Sequence, residues 1–322
     1  MRILVTGGAG FIGSHLCEAL LREGHAVSIL DNLNEYYSAA WKRRNLDAIA
    51  LTGHVDFFHA DIAGERAVDA VFEKTRPEVI LHLAAEVGVR PSVERPLDYE
   101  RTNVGGTLVL LEAARRYKTG KFVFASSSSV YGSTAKIPFR EDDPLASPIS
   151  PYAATKITGE KLCFTYSYLH HLPVVCLRLF TVIGPRQRPD LAIRKFAEWI
   201  DRHQPVTIFG EKTARDYTFV GDIVQGFLAA LQYECDFDIF NLGNSQPVSL
   251  DTVIATLEDC LGKEAIKQRQ SAQPGDMTIT WADISKAKRA LGYAPRTSFA
   301  DGVRAFVEWY RASVAAVGAP HS

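Results

Sequence analysis

Cysteine is scarce: only five stand among 322 residues, at Cys17, Cys163, Cys176, Cys235 and Cys260, with no close pair at metal-ligand spacing. That excludes a disulfide framework and a cysteine-based metal cluster, and it fits a reducing cytoplasm. An excess of one charge is also missing, since 36 Lys+Arg meet 37 Asp+Glu and leave a net charge of -1. No global basic field exists to hold nucleic acid or an anionic membrane, so an anionic ligand has to be met locally. Long apolar runs are absent; the stretch from Met1 to Leu16 is short and broken by glycines, which excludes a membrane span. There is no internal repeat or low-complexity tract, and Ala312 to Ser322 reads as a frayed tail. What is present is a 47% hydrophobic fraction, enough for a substantial core and too much for a disordered chain.

Short β-branched runs alternate with amphipathic stretches. Ile3-Leu4-Val5 precedes Phe11 to Leu21, Val27 to Leu30 precedes Trp41 to Ala50, and Val55 to Phe57 precedes Ala63 to Thr75. Val79 to Leu81, a helix from about Leu97 to Tyr117, Phe122 to Phe124, a helix from about Tyr152 to Leu169, and Val174 to Leu177 continue the rhythm. The pattern predicts an α/β fold: a doubly wound parallel sheet of Rossmann type, with right-handed helical crossovers. After Phe180 turns become frequent, at Gly184-Pro185, Arg188-Pro189, Gly210 and Gln273-Pro274-Gly275. A smaller mixed α/β lobe is expected there. The expected division is 1–179 with about 222–248 for the nucleotide-binding domain, and about 180–221 with 249–322 for the lobe, the ligand cleft lying between them at the strands' carboxyl ends.

Gly7, Gly10 and Gly13 follow the first strand and open the first helix. Gly7 permits the tight turn, Gly10 admits a pyrophosphate to the main chain, and Gly13 lets helix and strand pack, with phosphate over the helix amino terminus. Three glycines are weak evidence alone, but Asp31 ends the second strand, where a carboxylate hydrogen-bonds a ribose 2′-hydroxyl and repels a 2′-phosphate. The cofactor expected is NAD. Asp61-Ile62 after the third strand faces the adenine on one reading and forms an ordinary turn on another. Leu83-Ala84-Ala85 after the fourth offers small side chains along the cofactor's path.

Tyr152 and Lys156 stand four apart at a predicted helix start, so they share a face. An ammonium and a nicotinamide cation beside the phenol would lower its pKa from about 10 and make Tyr152 a general acid/base. Ser127, within the run Ser126 to Ser129 after the fifth strand, can hydrogen-bond the same substrate hydroxyl. The trio suits hydride transfer at a carbinol carbon. Taken singly, the tyrosine reads as a half-buried aromatic, the lysine as a solvated cation and the serines as a polar loop. His82 reads as a buried histidine ending a core strand, and no residues suggest a metal.

With these motifs in place the chain resembles the extended short-chain dehydrogenase/reductase family, and within it the NAD-dependent nucleotide-sugar epimerases. The resemblance runs through Thr6-Gly7-Gly8-Ala9-Gly10-Phe11-Ile12-Gly13, Asn103 to Thr107, Ser127 to Gly132, Tyr152-Ala153-Ala154-Thr155-Lys156 and Arg215-Asp216-Tyr217. It implies that Phe11, Ile12 and Asn32 join the cofactor site, that Ser127 completes a triad with Tyr152 and Lys156, and that helices about 97–117 and 152–169 form a homodimer. Dehydratases and decarboxylases of the family carry an acid before their Val-Tyr-Gly element; Ser128 and Ser129 stand there instead, leaving C4 epimerisation as the simplest outcome.

Arg178 to Asp190, with Phe180-Thr181-Val182 and Arg188-Pro189-Asp190, and Asp31 to Tyr37 are similar to UDP-glucuronate 4-epimerases. The implied reaction converts UDP-glucuronate to UDP-galacturonate without decarboxylation. Thr181, Ser128 and Ser129 would offer hydroxyls to the C6 carboxylate, although Thr181 also reads as a strand end, and Arg188 is an anion ligand or a turn arginine. Arg215 resembles the arginine that clamps the UDP diphosphate, and Asp276, after Gln273-Pro274-Gly275, its orienting acid or a ribose partner. Ile183, Leu191 and Arg186-Gln187 depart from the pattern, which keeps UDP-glucose and UDP-N-acetylglucosamine open. A UDP-sugar decarboxylase or dehydratase and an NAD-binding regulator without turnover are the other readings.

Overall fold

A computed structural model describes residues 1–132, 136–145, 147–210, 213–271 and 278–317, with side chains to residue 314. In chain order the first half runs β1 (Arg2–Thr6), α1 (Phe11–Arg22), β2 (Ala26–Asp31), α2 (Ala39–Thr52), β3 (Val55–His59), α3 (Glu65–Thr75), β4 (Val79–His82), α4 (Val89–Glu94), α5 (Pro96–Tyr99), α6 (Thr107–Arg116), β5 (Lys121–Ser127) and α7 (Pro151–His170). The second half runs β6 (Val174–Leu179), β7 (Thr181–Ile183), α8 (Ala192–Asp201), β8 (Pro205–Phe209), β9 (Ala214–Phe219), α9 (Val220–Gln232), β10 (Phe237–Leu242), β11 (Pro247–Ser249), α10 (Leu250–Leu261), β12 (Ile266–Gln270), α11 (Ser285–Leu291) and α12 (Phe299–Val317).

Seven strands form one parallel sheet in the order β10-β6-β5-β4-β1-β2-β3. Helices cover both faces, so β1, β4 and β6 are apolar nearly throughout instead of alternating. One face packs Phe11, Leu16 and Leu20 of α1 with Ile223 and Phe227 of α9; the other packs Val68 and Phe72 of α3 with Leu110 of α6 and Cys163 of α7. Strand order reverses between β1 and β4, which opens the crevice where such sheets bind ligands. Strands β11-β9-β7 make a second sheet, and β12 pairs with β8. Around Phe196, Val206, Leu257 and Phe306, strands β7, β8, β9 and β11 share an apolar core with α8, α10 and α12.

Three local expectations change. The helix expected from about Leu97 to Tyr117 is α5, a π-helical segment Glu100–Gly106 and then α6. The widened turn aims Asn103 at the loop after β4: its amide accepts from Glu86 N at 2.8 Å and donates to Glu86 O at 3.0 Å. Residues near 282–293, expected in the lobe, belong to the large sheet's core through Ala282, Ile284, Ala287 and Tyr293. Asn241 Nδ2 draws them in by donating to Asp283 O at 3.2 Å. The carboxyl-terminal tail is not frayed from Ala312, because α12 continues to Val317, with no glycine or proline between Ala312 and Val317 to stop it.

Candidate active site

The glycine turn is built by close approach. Gly7 has φ +72°, and a Cβ there would lie 2.7 Å from Ala84 N; at Gly13 it would lie 2.2 Å from Gly7 O. Only glycine lets α1 start this close to β1 and β4, with its free amides facing the crevice. Asp31 closes the turn from the side, accepting from Ala9 N at 3.1 Å and from Leu33 N at 2.8 Å. It therefore braces the loop and still faces the cavity.

That cavity, about 320 Å³, lies along the carboxyl edge of the sheet. Gly7, Gly10, Phe11, Ile12 and Gly13 line it from the first turn, Asp31, Asn32 and Ile62 from the next two strands, and Leu83, Ala84 and Ala85 from β4. At the far end it is lined by Ser127, Ser128, Ser129, Tyr152, Lys156, Thr181 and Arg188. Two expected residues are not brought there. Asp61 accepts from Ala63 N at 2.9 Å and pairs with Arg101 at 2.9 Å, which makes it the turn aspartate of the alternative reading. Arg215 of β9 turns to the backbone, donating to Ala214 O at 2.9 Å and Thr278 O at 3.1 Å. Asp276 lies outside the described residues.

Tyr152 is held at the first turn of α7. Ser150 caps the helix by accepting from Ala153 N at 3.1 Å, and Pro151 sets its first residue. The Ser127 hydroxyl lines the cavity beside the phenol; it donates to Ser129 Oγ at 3.1 Å and accepts from Ser129 N at 3.2 Å, fixing the turn that presents Ser128 and Ser129. Lys156 is buried; its Nζ donates to Ala125 O at 2.8 Å and sits 6.0 Å from the Tyr152 ring centre. Burial lowers the lysine to about 8. Burial raises the Tyr152 phenol, and Ser127 and the Arg188 charge oppose that rise. The expected ammonium effect on the phenol is thus not made by direct contact, because the ammonium is drawn to the β5 carbonyl.

Arg188 forks onto Asp190 with two bonds of 2.9 Å. Although burial pushes the other way, that guanidinium holds the Asp190 carboxyl below the usual carboxylate range. His82 is wedged between Thr6 Oγ1 at 2.7 Å and Thr107 Oγ1 at 3.0 Å, away from the cavity lining, and burial lowers it to about 3. It is a neutral core histidine. Of the departing residues, Ile183 lies in the lobe core, and Arg186 pairs with Glu18 at 2.5 Å. Gln187 donates to Val182 O at 3.3 Å, and Leu191 alone of the four reaches the cavity.

Lys42, Asn34, Tyr37 and Glu86 also line the cavity; Asn34 and Tyr37 fall in the Asp31 to Tyr37 segment without a role assigned, and Lys42 and Glu86 lie outside the motifs. Lys42 is 5% exposed and donates to Asn34 O at 2.8 Å, while Asn45, one turn on, donates to Ala9 O at 2.9 Å. The available signal was polar residues on the inward face of α2, where Lys42, Asn45 and Ile49 are buried together. The Tyr37 hydroxyl is buried without a hydrogen-bond partner among the described residues, an unmet polar atom at a ligand site. The glycine turn, Asp31, Lys42 and this hydroxyl together fit a dinucleotide. No group of three metal-binding side chains is found among the described residues.

The family described as GDP-mannose 4,6 dehydratase matches residues 4–306. A UDP-glucuronate 4-epimerase of Thermodesulfobacterium geofontis is 41% identical over 313 residues, covering 97% of this chain and 96% of that protein. The crystal structure of a Bacillus cereus UDP-glucuronic acid 4-epimerase in complex with UDP-glucuronic acid and NAD superposes with a TM-score of 0.91 at 38% identity, covering 98% and 100% of the two chains. A Thermotoga maritima UDP-glucose 4-epimerase with UDP-glucose gives 0.90 at 33% identity, covering 97% and 99%.

Proposed function

The chain belongs to the GDP-mannose 4,6 dehydratase-like family of extended short-chain dehydrogenases/reductases, and on that premise we propose the function that its cavity supports best. It is an NAD-dependent isomerase that inverts C4 of a UDP-sugar, with UDP-glucuronate as the substrate and UDP-galacturonate as the product. The observation that carries the reading is the convergence of Ser127, Tyr152, Ser128, Ser129 and Thr181 at one end of a cavity whose other end is the glycine turn.

Gly7, Gly10, Gly13, Asp31 and Lys42 would hold NAD, which supplies a hydride acceptor and donor and a positive ring charge when bound. Tyr152 takes the proton of the C4 hydroxyl while Ser127 orients that oxygen, and it returns the proton when the 4-keto sugar is reduced on its other face. Between the two steps the sugar must turn while its nucleotide stays anchored. Arg215 and Asp276 would supply part of that anchor once the lobe meets the diphosphate, and Arg188 adds a cation to the cavity lining. Ser128, Ser129 and Thr181 donate to the C6 carboxylate of the β-keto acid, holding it out of the geometry that releases carbon dioxide. Neither Ser128 nor Ser129 can act as the acid that elimination needs. The departures from the uronate pattern weigh little, since three of the four side chains do not reach the cavity.

The finer parts of the reading are a homodimer and a cytoplasmic setting. Exposed Leu97, Leu108, Phe164 and Tyr168 on α5, α6 and α7 support a second copy of the chain docking on these helices. Five free thiols support a reducing compartment, and no helix among the described residues is long and apolar enough to cross a membrane.

Incubation with UDP-glucuronate, UDP-glucose and UDP-N-acetylglucosamine, with products read by NMR, tests the proposal. UDP-galacturonate should be the main product. A UDP-pentose would make the protein a decarboxylase, and inversion of the neutral sugars alone would remove the carboxylate site.

A further inference from the structure

Behind the cavity, and lining none of it, lies a bidentate ion pair whose side chains are each 2% exposed: Arg178 Nε to Glu160 Oε1 at 2.9 Å and its Nη2 to Glu160 Oε2 at 2.8 Å. Ser126 Oγ donates to the same carboxylate at 2.6 Å. Arg178 Nη1 donates to Tyr131 Oη at 3.0 Å, and that hydroxyl donates to Asn241 Oδ1 at 2.6 Å. Each residue adjoins a segment that carries a candidate reacting group. Ser126 precedes Ser127 on β5, Tyr131 ends the turn of Ser128 and Ser129, Glu160 stands one helical turn after Lys156 on α7, and Arg178 stands three residues before Thr181.

We propose that Glu160 and Arg178 are positioning residues of the redox site, a buried strut that joins β5, α7 and β6 so that Ser127, Tyr152, Lys156 and Thr181 converge. Ser126 and Arg178 are opposite each other in the β5–β6 register, so both reach toward α7. Side chains alternate along a strand, so committing Ser126 to Glu160 fixes the direction of Ser127, which lines the cavity together with Tyr152. Energetics argue against a purely stabilising role: the desolvation of a buried ion pair offsets its attraction, and apolar residues of similar size often do as well. The fork instead fixes the distance and the rotation between three elements.

The strut also acts on charge. Lys156 faces Glu160 and Cys163 from its own helix, Tyr152 one turn earlier, the Ala125 carbonyl from β5 and neutral His82 from β4, with Arg178 of β6 behind Glu160. Glu160 is the one carboxylate in that group, and it opposes the loss of the lysine's proton that burial favours.

The inference rests on the epimerase reading, and its test separates the two. Glu160→Gln is compared with wild type by thermal unfolding, NAD content, kcat and KM for the UDP-sugar, and NMR titration of the Lys156 side chain, assigned with Lys156→Met. A folded variant should keep KM within about twofold and lose about tenfold in kcat. Its Lys156 should release its proton at lower pH than about 8, with the alkaline limb of kcat moving alongside. Arg178→Lys keeps the charge and loses the fork, so kcat falls while the lysine titration moves less. If Glu160→Gln fails to fold, Ser126→Ala leaves the ion pair and cuts only the tie to β5; a loss of about threefold in kcat at constant KM is expected. Wild-type kcat and an unmoved Lys156 titration in the folded variant overturn the strut. The lysine titration needs no sugar, so a protein that turns over no UDP-sugar sinks the epimerase reading and leaves this measurement standing.

Discussion

Two arginine- or amide-based sites for a diphosphate are readable in this chain, and the fold treats them differently. At the glycine turn, Gly7 and Gly10 to Gly13 line the cavity, because β1, the turn and the amino end of α1 are consecutive and a helix's first turn has amides with no acceptor inside the helix. In the lobe, Arg215 is one side chain on a short three-stranded sheet. It is bonded to Ala214 O and Thr278 O instead of facing the cavity, while Asp216 beside it is spent on Asn244 N, Ser245 N and Ala282 N at 2.7–3.0 Å. A site made of backbone is set when the strand and helix form. A site made of long side chains across two layers is completed only when the lobe and ligand meet.

That contrast can be broken in several places. The largest effect is expected at the chemical end: Tyr152→Phe should lower kcat by about a thousandfold, within the usual range for a general acid/base, with NAD still bound. Turnover retained by the variant would remove the phenol from the reaction. Gly13→Ala should lose bound NAD and destabilise the fold by about 1–3 kcal/mol, since its Cβ would meet Gly7 O at 2.2 Å. Urea unfolding and the absorbance of released cofactor read both effects.

His82 sharpens the comparison from the core side. Its folded value of about 3 lies below the unfolded value, so the neutral ring contributes stability above about pH 6.5 that is lost as the pH falls toward 3. Between pH 6 and 4, wild type should lose up to about 1.4 kcal/mol per pH unit more than His82→Gln. Equal slopes in urea titrations would mean the ring is solvated.

Arg215→Ala tests the lobe. KM for the UDP-sugar should rise about tenfold, the worth of one charged hydrogen bond, with NAD content unchanged; an unaltered KM would leave Arg215 as a lobe brace. The smallest effect is selective: Thr181→Ala should reduce turnover of UDP-glucuronate about threefold more than that of UDP-glucose, or release a UDP-pentose. Equal losses on both sugars would take Thr181 out of carboxylate recognition.

The legible parts of the site share a cause. Gly7, Gly10, Gly13 and Asp31 are readable because their geometry is local, and Tyr152 with Lys156 because helical spacing places them on one face. The places of Lys42, Asn34, Glu86 and Tyr37 in the cavity were not, since they come from two loops and a helix whose approach depends on packing. Asp61 shows the converse, an aspartate at a plausible place whose oxygens a turn amide and Arg101 occupy first. The long helix from Leu97 was readable as helical but not as broken, because the π-helical segment answers to Glu86, a residue on another element.

By itself, the order of residues determined the parallel sheet and the glycine turn, which follow from periodicity and spacing within one or two elements, and it put forward Tyr152 and Lys156 as candidates by their helical spacing. Tertiary structure alone decided where each charge is neutralised. It placed Arg186 on Glu18, Lys156 on a carbonyl of β5 and Arg178 on Glu160. A buried charge takes the partner that packing brings within reach, and that distance in space is not written in distance along the chain.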